Sequence, residues 1–156
     1  MAEAIVIREV DGEACDALAT LEAASFDVPW SADAVRALLA DGLTRGWMAR
    51  VSGRVVGGAL VRVVAGEGEL LRIAVHPEAQ RQGVGSALLG AVLSAVADAC
   101  PIGVHLEVRA ANVAARRLYA RHGFVDHGLR RDYYQAPRED AILMYWRGAG
   151  TAASAR

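Results

Sequence analysis

"HPEAQRQGVGSALL", residues 76–89, decides how this chain folds. The run before it, "LLRIAV" (70–75), is apolar except for one arginine. After it, Val84, Leu88, Val92 and Val96 recur at helical spacing, and Leu89 and Leu93 widen that face. A strand therefore passes into a helix through a polar joint holding Pro77, Gly83 and Gly85. A further strand, "IGVHLEVR" (102–109), follows the helix. Such a strand–helix–strand unit needs a right-handed crossover, which makes its two strands parallel.

Working outward, "AIVIREV" (4–10) predicts a first strand, and "GEACDALATLEAASF" (12–26) a helix. A second helix, "SADAVRALLADG" (31–42), has Ser31 as N-cap and Gly42 where a C-cap is expected. "TRGWMARV" (44–51) and "RVVGGALVRVV" (54–64) read as strands joined at Ser52-Gly53, a hairpin signal, and a turn at 66–68 leads into the strand "ELLRIAV" (69–75). "NVAARRLYARHG" (112–123) predicts a helix between Asn112 as N-cap and Gly123 as C-cap. "FVDHGLRRDYY" (124–134) and "DAILMYW" (140–146) close the chain as strands. The expectation is one mixed α/β domain over residues 1–147, followed by a small, polar, disordered tail at 148–156.

Composition narrows the function classes. The chain has 156 residues, 54% of them hydrophobic, which suits a single domain with a real core. Its formal net charge of −1 gives no global attraction to nucleic acid or to an anionic membrane. Cys15 and Cys100 lie far apart and outside any Cys/His cluster, so neither a disulfide framework nor a metal site is expected. The first residues lack a secretory pattern, and the uncharged run from Gln82 to Ala97 is shorter than the roughly 20 residues a bilayer span requires. A cytoplasmic protein with no membrane partner is the expectation.

What can the joint bind? Backbone N–H groups at a helix start lack internal partners, and the helix dipole adds positive charge there. Gly83 and Gly85 suit the close approach of a phosphate or pyrophosphate, with Arg81 and Ser86 at hand, although glycines also serve turns alone. Two common phosphate loops fail. A P-loop needs a lysine, and all 17 basic residues here are arginine. A dinucleotide fingerprint needs a third glycine where this chain has Leu88.

"QRQGVG" (80–85) fits the Q/R-x-x-G-x-G/A signature of the GNAT superfamily of N-acetyltransferases, and the order of elements is similar over nearly the whole chain. "FDVPWS" (26–31), "LEVRAANVAARRLYARHGF" (106–124) and "RRDYYQAPREDAILM" (130–144) resemble the RimI-type ribosomal-protein-alanine N-acetyltransferases within it. The resemblance implies a GNAT fold, a central mixed sheet of about seven strands flanked by four helices. It also implies acetyl-CoA as donor. Main-chain groups of Ile73, Ala74 and Val75 would pair with the pantetheine, Arg81, Gln82, Gly83, Val84, Gly85 and Ser86 would take the pyrophosphate, and Asn112 would touch the coenzyme.

The same resemblance assigns Glu107 as proton acceptor and Tyr119 as proton donor to the leaving thiolate. Alternation alone puts His105, Glu107 and Arg109 on one strand face, where charges are often merely solvated. Asn112 is explained by capping as well, and His105 stays a structural or tuning residue. Phe26, Trp30, Tyr133 and Tyr134 either frame the acceptor or pack. The implied acceptor is a protein N-terminus, an N-terminal alanine of a small-subunit ribosomal protein. "QAPRED" (135–140) departs from relatives that carry a proline directly after the paired tyrosines, which touches the acceptor more than the chemistry. Other readings are acetylation of a lysine or small-molecule amine, and a non-catalytic acyl-CoA-binding module. Arg116, Arg117 and Arg121 form a basic patch, read as a solvated helix face because RNA-stacking motifs are absent.

Overall fold

A computed structural model describes residues 3–148, so the expected tail lies, apart from Gly148, outside the described residues. The chain runs β1 (Ile5–Val10), α1 (Cys15–Ser25), α2 (Ala32–Leu39), β2 (Thr44–Val51), β3 (Arg54–Val64) and β4 (Glu67–Val75). It continues through α3 (Val84–Val96), β5 (Gly103–Arg109), α4 (Val113–Arg121), β6 (Val125–Gln135) and β7 (Arg138–Trp146). Short 3₁₀ turns at Gly12–Ala14 and Pro77–Ala79 precede α1 and α3. The expected order of elements holds, and the strands form a seven-stranded sheet in the order β1-β2-β3-β4-β5-β7-β6.

Every pairing in the sheet is antiparallel except β4 with β5, the two strands joined by the α3 crossover. α3 buries Val84, Leu88, Leu89, Val92, Leu93 and Val96, the stripe read from its spacing. These side chains share one core with Trp47, Val61, Leu106, Val108, Tyr119 and Phe124, placing α3 and α4 together. Each such residue contributes roughly 1.5–3 kcal/mol by leaving water. A second core, with Cys15, Leu18, Val35, Met48 and Leu60, lies under α1 and α2 on the other face. Both cysteines are free and buried.

Two turns differ from expectation. α2 ends at Leu39, before Gly42, because the Asp41 carboxylate accepts the N–H groups of Leu43 and Thr44 at 2.7 and 2.8 Å and starts the next strand. The β3–β4 turn sits at Ala65-Gly66, both left-handed with φ of 50° and 83°, and not at 66–68. Gly68 is already in the strand, where an added Cβ would stand 2.9 Å from Cys100 Sγ and 3.1 Å from Val104 Cγ2. Close packing, not turning, demands that glycine.

The feature that positions the site is a parting in the sheet. β4 and β5 pair only through Glu67–Gly103, Gly68–Val104 and Glu69–His105. Just beyond, Leu70 opposes Val61 while Arg72 opposes Leu60, leaving Leu71 as an unopposed bulge residue. A bulge bends its strand and increases the local twist. β5 meanwhile stays paired with β7 from Val104 to Arg109, so the two strands diverge.

Candidate active site

The parting opens a groove of about 670 Å³ between β4 and β5, floored by α3 and α4. One wall is the edge of β4 from Leu70 to Val75, whose other edge is paired to β3. An unpaired strand edge offers N–H and C=O groups to an extended, amide-bearing ligand. Ile73 and Val75 line the groove, whereas the Ala74 side chain is buried on the α1 face. Only the main chain of Ala74 is available to the groove.

At the head of α3, Gly83 is the N-cap in a left-handed conformation, φ 82°. A Cβ there would meet nothing within 4 Å, so the space in front of the helix N–H groups is open. Gly85 serves a different end, because its Cβ would touch Leu118 Cδ2 at 3.4 Å where α3 crosses α4. Arg81, Gly83, Val84, Gly85 and Ser86 all line the groove. Gln82 does not; its side-chain amide donates to the Glu78 carbonyl at 3.3 Å and braces the loop. Ser86 Oγ lies 2.9 Å from His122 Nε2, a link between the two helices that sequence reading missed. Burial and the neighbouring Arg121 guanidinium lower the His122 pKa.

Asn112 caps α4 by accepting the Ala115 N–H at 3.2 Å, and it also lines the groove. Both of its expected roles therefore remain open to it. α4 in turn aims Tyr119 into the groove from a buried position, 7% exposed. Burial, and then the field of Tyr134, pushes the Tyr119 phenol up to about 12. The Phe124 ring packs 5.7 Å from it and fixes its orientation.

Glu107 enters from β5, on the face opposite the buried Leu106 and Val108. It is the only carboxylate among the lining residues. Its Oε1 lies 3.5 Å from Arg130 Nε, and the Tyr133 hydroxyl leans on the same carboxylate, a contact that raises the tyrosine's pKa. Tyr134 lines the groove half-buried; burial and the Glu107 charge raise its pKa. Arg109 stacks 4.1 Å from the Tyr134 ring and donates to the Pro137 carbonyl at 3.0 Å, which ties the β6–β7 turn to β5. His105 is two residues away on the same strand face. Its Nδ1 lies 3.2 Å from Glu67 Oε1 and its ring stacks on Tyr145, outside the groove.

The α1–α2 connection is held by a pair the sequence did not disclose. Glu22, 5% exposed, takes Arg72 Nε at 3.1 Å on Oε1 and the Trp30 N–H at 3.1 Å on Oε2. The Arg72 guanidinium also sits 4.2 Å from the Phe26 ring and 4.4 Å from the Trp30 ring. Phe26 reaches the groove, while Trp30 packs on Arg72 and is not among the lining residues. Among the described residues no cluster of His, Cys, Asp or Glu could hold a metal ion, and no helix is long and apolar enough to cross a membrane.

This geometry has clear relatives. The chain matches the Acetyltransferase (GNAT) family over residues 15–124. It is 42% identical to the ribosomal protein bS18-alanine N-acetyltransferase of Escherichia coli K12 over 95 residues, covering 60% of this chain and 64% of that relative. An uncharacterized N-acetyltransferase of Methanocaldococcus jannaschii is 33% identical over 141 residues, 90% of each chain. The crystal structure of the ribosomal-protein-S18-alanine N-acetyltransferase from Escherichia coli superposes with a TM-score of 0.84 at 32% identity, covering 92% of this chain and 93% of that one. A parted β4–β5 edge, a glycine-opened α3 and a match across most of the chain agree: the protein is a member of the GNAT acetyltransferase family.

Proposed function

We propose that this protein transfers acetyl from acetyl-CoA to the α-amine of a protein N-terminus, with an N-terminal alanine of a small-subunit ribosomal protein as acceptor. One observation carries the reading: Glu107 and Tyr119 face one groove at the point where β4 and β5 part. The likeness to bS18-alanine N-acetyltransferases supports the acceptor.

In this mechanism the free edge of β4 at Ile73–Val75 pairs with the pantetheine amides and points an N–H at the thioester carbonyl. The α3 head, with Arg81 alongside, takes the pyrophosphate. Glu107 accepts a proton from the incoming ammonium, directly or through one water. An α-amine has an ordinary pKa of about 8, so a carboxylate is base enough near neutral pH. The amine nitrogen attacks the carbonyl carbon, the C–S bond breaks with its electron pair leaving on sulfur, and the nitrogen's surplus proton passes to solvent to leave the neutral amide. Tyr119 meets that thiolate. Its phenol at about 12 stands well above an ordinary thiol at about 8.5, so complete proton transfer would be uphill by roughly 5 kcal/mol. Tyr119 therefore stabilises the sulfur as a hydrogen-bond donor that never ionises, and solvent supplies the final proton.

The test is direct. Acetyl-CoA is incubated with peptides varied at their first residues, with N-blocked lysine peptides and with polyamines, and products are read by mass spectrometry. Selective α-amine acetylation of alanine-initiated peptides is expected. Preferential acetylation of lysine or polyamines would overturn the acceptor while leaving the transferase chemistry.

A further inference from the structure

We propose that Arg121, with Arg117 one helical turn behind it, binds the 3′-phosphate of coenzyme A and makes the protein select the phosphorylated donor over its dephospho form. The inference rests on the reading of the groove as an acetyl-CoA site, and it begins with a comparison of arginines. Four guanidiniums line the groove: Arg72, Arg81, Arg109 and Arg121. Arg72 is committed to Glu22 and the Val28 carbonyl, and Arg109 to Glu139 and the carbonyls of Ala136 and Pro137. Arg81 and Arg121 have no carboxylate or carbonyl partner among the described residues. Arg116, on the same helix as Arg121, shows the contrast. It donates to the Ala110 carbonyl at 3.0 Å and to Asp126 at 3.3 Å, so the basic patch read from the sequence is not one unit.

Placement then separates the two uncommitted charges. Arg81 precedes the α3 head, whereas Arg121 ends α4 next to His122, whose ring reaches Ser86 in the first turn of α3. Ala114, Arg117, Leu118 and Arg121 fall on one stripe of α4, at helical spacings of three and four, and Ala114 and Leu118 line the groove with Arg121. Coenzyme A brings two anionic groups to such a mouth. Its pyrophosphate is matched by the helix N–H groups and Arg81. Its ribose 3′-phosphate is a monoester of nearly two negative charges, which needs a donor of its own. A guanidinium suits it because it offers two N–H groups in one plane to phosphate oxygens. Glu107, the one lining carboxylate, sits on β5 among Arg130 and Tyr133, so no acid at the mouth competes for Arg121.

The experiment compares acetyl-CoA with acetyl-dephospho-CoA as donors for the wild type, Arg121→Ala and Arg121→Lys. The wild type is expected to show a KM about tenfold lower for acetyl-CoA, a preference that fades as salt is raised. Arg121→Ala should lose that preference by raising the acetyl-CoA KM well beyond any rise in the dephospho KM, and Arg121→Lys should recover part of it. Equal KM values for both donors in the wild type, or full discrimination in Arg121→Ala, would overturn the proposal. Titration calorimetry with CoA and dephospho-CoA reads the same preference without turnover. If no amine is acetylated but that preference is present and lost in Arg121→Ala, the acetyltransferase reading fails and the phosphate site stands.

Discussion

In the proposed mechanism Glu107 accepts a proton while Tyr119 keeps its own, and their surroundings differ accordingly. Glu107 is reached by Arg130 and Tyr133 from β6, whereas Tyr119 is enclosed in the core. Glu107→Gln is expected to lower turnover of an alanine-initiated peptide about 10²–10⁴-fold. The deficit should be largest at low pH and shrink as the pH approaches the α-amine pKa of about 8, where the acceptor deprotonates unaided. A pH–rate profile parallel to that of the wild type would remove Glu107 as base. Tyr119→Phe should cost about 10²-fold in kcat by removing the sulfur's donor. Its second effect is on stability. A phenol raised to about 12 in the fold is protonated in both states below its ordinary pKa of about 10, and the unfolded chain ionises first above that. The wild type should therefore lose on the order of 3 kcal/mol between pH 10 and 12 that Tyr119→Phe keeps, as read by urea unfolding. At this scale the motifs in the sequence named the two residues, and both line the groove. The sequence named Arg121 only as part of a basic helix face, and that the side chain lacks the partners Arg116 has is visible only once the neighbours have been placed.

At the scale of elements, the clamp between α1 and β4 is the clearest example of what local pattern conceals. "LLRIAV" carries one charge in an apolar strand, and such a residue needs a partner in the core. The partner, Glu22, lies 50 residues away on a helix with no signal of its own. Glu22→Ala is expected to destabilise the protein by about 3–5 kcal/mol, since it leaves a largely buried guanidinium uncompensated. Its denaturation midpoint should fall accordingly, and the KM for peptide should rise because Phe26 and the Trp30 N–H lose their anchor. An unchanged midpoint would show that solvent replaces the carboxylate. The starts of α2 and α4, by contrast, were legible to the residue, because Ser31 and Asn112 cap them with side-chain oxygens on the Ala34 and Ala115 N–H groups. Gly42 and Gly68 misled for one reason: a glycine announces freedom or closeness, and only the neighbours tell which.

For the whole molecule, the order of elements was legible and the parting was not. Alternation and spacing gave the strands, and the crossover made β4 and β5 parallel. Nothing local to Leu71 signals that it bulges, since its register is set by Leu60 and Val61 on the neighbouring strand. If the donor pairs with the free edge of β4, it bridges the two halves of the sheet. Acetyl-CoA at a hundred times its Kd should then add about 2.7 kcal/mol, a rise in melting temperature of roughly 5–10 °C. Adenosine 3′,5′-bisphosphate, which lacks the pantetheine, should give a smaller rise in differential scanning fluorimetry. An equal rise from both ligands would remove the strand-edge pairing from the account.

β6 has a consequence of a different kind. It is an outermost strand of the sheet, exposed along its length except at Tyr134, with Val125 and Leu129 in contact with solvent. A straight strand of that kind invites a second chain to zip on and a fibre to grow. Here Arg131, Asp132 and Tyr133 crowd opposite Asp140 alone, His127 is unopposed at a second irregularity, and Asp132 turns left-handed at φ 52°. Charges at Asp126, Arg130 and Arg131 stand along the same border. The kink that brings Tyr133 to Glu107 thus also spoils the template for stacking, so straightening it would both withdraw Tyr133 from Glu107 and present a regular edge.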